Sequence, residues 1–520
     1  MARSQRSRPR RALSAPARFP ALLGRTSTIL AASTLGLLSL SVLSLGSTAH
    51  ASGLGAARFG GEHGHPTTDN PTAIYYNPAG IALKPGTRIF VDATMAGRWA
   101  SYQRPEGAIN DPGGGTPSDA TSANAGTAKL ANFLVSPFIG ASSDFGTKIF
   151  SAGAAMYFPF GGQAVWGQNS QYANSSAYPG AHDGTQRWYT IDGKIRSMYI
   201  SGAMAFNIKE IGLSIGVSGS AIRSETDTIR ARNADGSDDL VDPTFGGRKE
   251  GRSWLKASGW QGGFGVGLIW NWQQRLWIGA SYTSQPNVVG GMTLKGSLNN
   301  ALASPMVPTV APAELTQTLP DIIRLGFRFR PTDRVELRLF ADYTRWSVFD
   351  KQCVLDASVK DRGCGFTGAG TALANPEGFG AEEPDPDGAG PLKSPTNGTI
   401  QHLPRFWKDA GGVRAGASYW FTPQVESYLG VGYDSSAVRP ETLDAALMDM
   451  NKMSFSIGTR WQIVKQFALA LTVTDIAYFK VDTKGKNVLN KFQAPTRQAD
   501  ANGVYKNNVL VRNLFVDVSF

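Results

Sequence analysis

The sequence predicts an all-β fold: a transmembrane antiparallel β-barrel of about fourteen strands, with an N-terminal segment folded into the lumen as a plug. Three observations predict it. Apolar and polar residues alternate with period two over runs of ten or more residues, the length a tilted membrane-spanning strand needs. Connections between these runs alternate between short and long, as outer-membrane barrels require. Beyond residue 46 no apolar stretch reaches about 18 residues, which excludes a bundle of spanning helices. Composition agrees: 60 of the 520 residues are glycine, and 12 Trp, 15 Tyr and 26 Phe are too many for a disordered chain.

Residues 1–28 carry seven arginines and no acid, and an apolar run follows from Ile29 to Leu45. Ala49-His50-Ala51 then offers small residues for cleavage, so residues 1–51 are expected to be a signal peptide. Without them the 51 basic residues fall to 44 against 40 acids, and the net charge drops from +11 to +4. The basic balance belongs largely to the leader, so nucleic acid is not an expected partner. Residues 52–86 are rich in Gly and Pro, too short for a domain, and are expected to form the plug; residues 87–520 form the barrel.

Candidate strands lie near 87–102, 129–141, 147–158, 188–206, 211–228, 254–270, 275–289, 314–329, 333–349, 405–420, 424–434, 453–463, 466–480 and 507–520. Ile323, Leu325, Phe327 and Phe329 alternate with Arg324, Gly326, Arg328 and Arg330, which sets one face to lipid and one to the lumen. Leu514, Val516, Val518 and the terminal Phe520 share a face, an ending similar to the signal read by the barrel-assembly machinery.

The plug reads Ser52-Gly53-Leu54-Gly55, then Arg58, and later Tyr75-Tyr76-Asn77-Pro78-Ala79. With Tyr157-Phe158-Pro159-Phe160-Gly161, Leu319-Pro320-Asp321, Asp342 to Phe349, Phe406 to Tyr419 and Gly430 to Asp434, it resembles the FadL/TodX family of outer-membrane long-chain fatty-acid and hydrocarbon transporters. The resemblance implies a fourteen-stranded barrel plugged by an N-terminal hatch, in which Arg58, Asn77, Pro78 and Ala79 belong to the hatch motif. It implies an outer membrane location and passage of hydrophobic small molecules, long-chain fatty acids foremost, with sideways release at a kinked third strand. A cleavage after Ala51 leaves this hatch about ten residues short of the family's.

For ligand contact, Arg324 and Arg414 are the lumenal cations expected to meet a carboxylate, the alternative being ion pairs with lumenal Glu336, Asp342, Glu426 and Asp434. Leu294, Leu298 and Leu302 have partly helical spacing on an outer loop, where they either stand exposed to meet membrane lipid or ligand first or pack against neighbouring loops. Gly153 and Pro159 bracket the third strand's end and are the expected lateral gate, since Gly permits a bulge and Pro cannot donate to a ladder. Cys353 and Cys364 are the only cysteines, and an exported chain allows a disulfide between them.

Enzymatic readings fare badly. Gly212-Leu213-Ser214-Ile215-Gly216 matches a lipase elbow but alternates within a strand, and no helix follows Gly263-Phe264-Gly265-Val266-Gly267. Glu382 to Asp387 reads as a solvated acidic run rather than a calcium loop, and His63 with His65 falls short of a metal site. No cofactor and no metal are expected. A general porin or a surface-binding adhesin on the same barrel is the alternative function.

Overall fold

The structure, a computed structural model, describes residues 58–106, 121–242, 244, 246–288, 291–302, 308–365, 369–378 and 397–520. The expected signal peptide, hatch residues 52–57 and the acidic run Glu382 to Asp387 lie outside these. Among the described residues fourteen strands close a barrel: β1 Thr87–Arg104, β2 Gly126–Ser143, β3 Phe150–Val165, β4 Asp192–Ile208, β5 Leu213–Arg232, β6 Gly251–Trp272, β7 Leu276–Thr283, β8 Ile322–Thr332, β9 Val335–Thr344, β10 Ala410–Thr422, β11 Val425–Asp434, β12 Lys452–Val464, β13 Phe467–Tyr478 and β14 Val504–Ser519. Each pairs antiparallel with the next, and β14 returns to β1 in one unbroken register from Arg88↔Ser519 to Gln103↔Val504.

Closure explains the patterning. Ile323, Leu325, Phe327 and Phe329 face outward, whereas Arg324 and Arg328 are buried in the lumen. Exposed Trp99, Trp254 and Trp260 ring the end that carries the long loops, and Trp270, Trp272 and Trp461 ring the other, as interfacial aromatic belts do. Phe520 points outward, its backbone bonded to Thr87 across the seam.

The long loops hold structure that the alternation did not reveal. Met292–Ala301 and Thr309–Gln317 form a hairpin on the upper half of β6, and Lys351–Asp356 and Thr399–Pro404 extend it. Thr309–Gln317 is therefore separate from β8, although the expected strand 314–329 ran from the end of one into the other; Pro320, which has no N–H, lies in the break between them. The helical spacing around Leu294 is likewise corrected. It is a strand, and Leu294 and Leu298 are 1% exposed, packed in the cap core rather than offered to solvent, while Leu302 is half-buried at its end. The cap is greasy because these leucines meet Leu315 and Val354. Cys353 and Cys364 are bonded at its side, their Cα atoms 6.2 Å apart.

His402 lies in the same cap, opposite Cys353, its Nδ1 2.9 Å from Thr496 Oγ1. Burial pushes its pKa down to about 3, with Lys351 and Arg405 adding to the effect. Its folded value is thus below the unfolded one near 6.5, so the neutral ring's contribution is complete above pH 6.5 and declines as pH falls toward 3. Acidification from pH 7 to 5 is expected to cost the cap about 2 kcal/mol. Hydrogen exchange of residues 399–404 at both pH values measures this, and a His402→Gln variant is expected to flatten the dependence.

Candidate functional site

The hatch fills the lumen and is seated by polar contacts to the wall. Asn77 caps the short helix Pro78–Ala82 through Ala79 N, and its amide donates to the Leu268 and Ala280 carbonyls at 3.0 and 3.2 Å. Those carbonyls belong to facing residues of β6 and β7. Glycine makes the approach possible: a Cβ on Gly267 would lie 1.9 Å from Asn77 Oδ1, and one on Gly216 would lie 2.3 Å from Ala79 N. The lipase-like Gly212–Gly216 pattern thus ends in part of the hatch seat. Asp69 ties the hatch to Arg328 at 2.9 Å and Arg88 at 3.6 Å on the wall, with Lys84 of the hatch itself at 3.0 Å, and His63 lies 3.1 Å from Glu426.

The two expected head-group cations separate. Arg414 is committed to Asp434 at 2.7 Å and Asp342 at 3.5 Å, and Arg58 of the hatch joins Asp434 at 3.8 Å. That is the ion-pair ladder weighed as its alternative role. Arg324 has no carboxylate within 4 Å among the described residues; it donates to Thr283 Oγ1 and lies 4.6 Å from the Tyr75 ring centre, so it braces the hatch.

The barrel wall is incomplete at one place. The β2–β3 ladder runs from Ser143↔Ala152 only to Phe138↔Tyr157, then stops. Above it β3 keeps its partner β4, after a shift between Tyr157 and Phe160 that inserts one extra residue. The wall is stitched again where the Asn132 amide grips Val165 N and O at 3.1 Å each and Leu130 bridges Trp166. Between these points about 20 Å of strand lacks a backbone ladder. Pro137 and Pro159, neither with an N–H, flank its lower edge. Gly153 lies lower, opposite Ser142 within the paired region.

Buried aromatic rings lead inward from this gap. Phe59 of the hatch lies 5.3 Å from Phe138, and Phe138 stacks on Tyr157 at 5.6 Å. Tyr157 stacks on Tyr199 at 5.6 Å; Phe160, 6.2 Å from Tyr199, continues to Trp346 and Trp407 under the cap. Beside it, Gly162 and Ala164 of the same β3 segment line a cavity of about 80 Å³ below the cap. Leu255, Leu315, Val354 and Leu403 line its apolar sides, with Arg98, Arg230 and Arg405 adding charge. Arg405 is paired with Asp444 at 2.7 Å. Arg98 meets only the Asn507 amide oxygen, and Arg230 the Gln498 amide oxygen and the Trp188 carbonyl, with no carboxylate within 4 Å among the described residues.

Residues 46–520 match the sequence profile described as outer membrane protein transport protein (OMPP1/FadL/TodX). The chain belongs to this family. Solved structures agree on the fold. A Pseudomonas aeruginosa FadL homologue superposes with TM-score 0.65 at 16% identity, over 91% of this chain and all of the other. The Ralstonia pickettii toluene transporter TbuX gives 0.57 at 14%, over 91% and 98%, and the P. putida toluene transporter TodX 0.56 at 12%, over 88% and 95%. No curated protein sequence matches. OMPP1/FadL/TodX proteins are outer-membrane transporters of hydrophobic compounds rather than enzymes, and the short turns of this barrel therefore face the periplasm.

Arg98 and Arg230 escaped the sequence reading. The signal was present, since both fall on lumenal positions of alternating strands, as Arg324 does. What the pattern does not carry is which lumenal cation stands beside a carboxylate.

Proposed function

We propose that this transporter carries amphiphiles with an anionic head, long-chain fatty acids in particular, from the cap cavity along the aromatic rings and out through the β2–β3 gap. The observation that supports this reading is the cavity's pair of guanidinium groups, Arg98 and Arg230, without carboxylate partners beside apolar walls. A buried cation of this kind is costly unless an anion visits it, and a carboxylate head with a dehydrated tail answers both surfaces. The wall gap gives the tail a route to lipid that does not require the hatch to leave the lumen. Passage needs no cofactor, only successively placed apolar surfaces.

A second reading, uptake of neutral aromatic hydrocarbons, is favoured by the rings from Trp407 to Phe59, whose faces suit a flat guest. TbuX and TodX, named for toluene, lend it weight. Binding of oleate and of toluene to the purified protein separates the two. Arg98→Gln with Arg230→Gln is expected to weaken oleate by about 1.5–3 kcal/mol per lost charge-assisted bond and to leave toluene unchanged. Toluene binding with no oleate binding by the unmodified protein establishes the second reading. Protein-dependent entry of a small sugar into cells would instead mark a general porin.

A further inference from the structure

Above the wall gap the outer surface carries a groove of about 750 Å³ lined by Trp99, Lys129 and Lys506. On β1 the outward residues Ile89, Val91, Ala93, Met95 and Gly97 face the lipid, Trp99 ends that band, and Ser101 stands one layer higher. Lys506 of β14 is opposite Ser101, and Ser101 is opposite Lys129 of β2. The two lysines thus stand in one row about 10 Å apart at the backbone, just above an interfacial tryptophan that is 51% exposed. That is the level of lipid head groups in the outer leaflet.

Elsewhere on this rim three outward cations are matched by acids: Arg196 by Glu225 at 2.7 Å, Lys256 by Asp227 at 3.8 Å, and Arg345 by Asp321 at 2.7 Å. Lys129 and Lys506 have no carboxylate within 4 Å among the described residues. Two acids stand near this sector: Asp475 accepts from Asn508 a layer below, and exposed Asp482 lies opposite Val504, one layer above Lys506. A third cation, exposed Arg512, lies deeper on the same strand. A basic row at head-group height, over a tryptophan and an open groove, is complementary to a phosphorylated lipid and to no neutral one.

We propose that this groove binds the phosphorylated head group of an outer-leaflet lipid, with Lys129 and Lys506 holding phosphate and Trp99 covering the first tail carbons. The groove floor includes Asn132 and Trp166, the stitch that closes the top of the gap. The bound lipid therefore covers that upper rim and gives emerging cargo an ordered acyl surface. This goes beyond the transport reading and does not depend on which cargo passes.

The test uses the full-length protein in neutral detergent, titrated with bis-phosphorylated lipid A, with lipid A stripped of both phosphates, and with inorganic phosphate, followed by thermal unfolding and native mass spectrometry. A one-to-one adduct and a raised Tm are expected with the phosphorylated lipid alone. Lys129→Gln with Lys506→Gln is expected to weaken it about thirtyfold, and Lys148→Gln, at a periplasmic turn, to change nothing. Unchanged affinity in the double variant overturns the proposal, as does equal binding of the stripped lipid. Inorganic phosphate binding as tightly as the lipid assigns the row to a free anion and overturns it too.

Discussion

Deleting Pro159 alone is expected to reduce protein-dependent uptake of hydrophobic compounds to background while the barrel still folds. Register supplies the reason. Counting up the β2–β3 ladder from Phe138↔Tyr157, a regular pairing puts Leu130 opposite Val165, but the bridge is to Trp166. The β3–β4 ladder shows the same single extra residue between Tyr157 and Phe160. Removing one residue there brings the lower ladder and the upper bridge into one register, and it removes a residue that cannot donate. The wall then zips, and each restored backbone bond adds about 0.5–1.5 kcal/mol. Uptake of labelled oleate and toluene by cells carrying either form measures the effect, with heat-modified gel mobility reporting the folded barrel. Undiminished uptake by the deletion variant would place the exit elsewhere.

Asp69→Asn is expected to unseat the hatch. Burial raises the pKa of this carboxyl, but Lys84, Arg328 and Arg88 outweigh burial and hold it well below the ordinary carboxylate range. Its contribution is therefore complete above about pH 4 and lost as pH falls further. The amide leaves Arg328 and Lys84 without the Asp69 carboxylate, whereas Arg88 keeps Asp517. Breaking one side of such a buried cluster costs about 3–5 kcal/mol. Leakage of a small sugar into cells and protease cleavage of residues 58–86 in the purified protein are the expected readouts. Asp69→Glu is expected to restore most of the seal.

The barrel was legible because a lipid-facing strand is apolar at most of its alternate positions, as Ile323, Leu325, Phe327 and Phe329 show. The cap was not. In Met292–Ala301 the buried Met292, Leu294 and Leu298 skip Gly296, so a strand reads like a helix when one inward position is glycine. Gly296 is needed there, because a Cβ would lie 1.8 Å from the Lys256 carbonyl. The kink in β3 was visible as Pro159, but the length of the unpaired wall depends on the register of β2, which Tyr157-Phe158-Pro159 does not encode. Arg414 illustrates a further limit: its partners Asp342 and Asp434 sit on the two flanking strands, and only the three-strand register brings them together.

The seam between β1 and β14 also dictates an order of assembly. Arg88 and Asp517, 429 positions apart, meet across it. Asn513 of the last strand donates to the Arg58 carbonyl at the start of the hatch, and to Asp92. The earliest described segment therefore waits for nearly the latest one. Loop closure over such a span is slow compared with hairpin formation, so neighbouring strands pair first and the ends meet last. The lumen gains this anchor for its occupant only at that final step, and a chain arrested before residue 513 lacks both a closed wall and a fastened hatch.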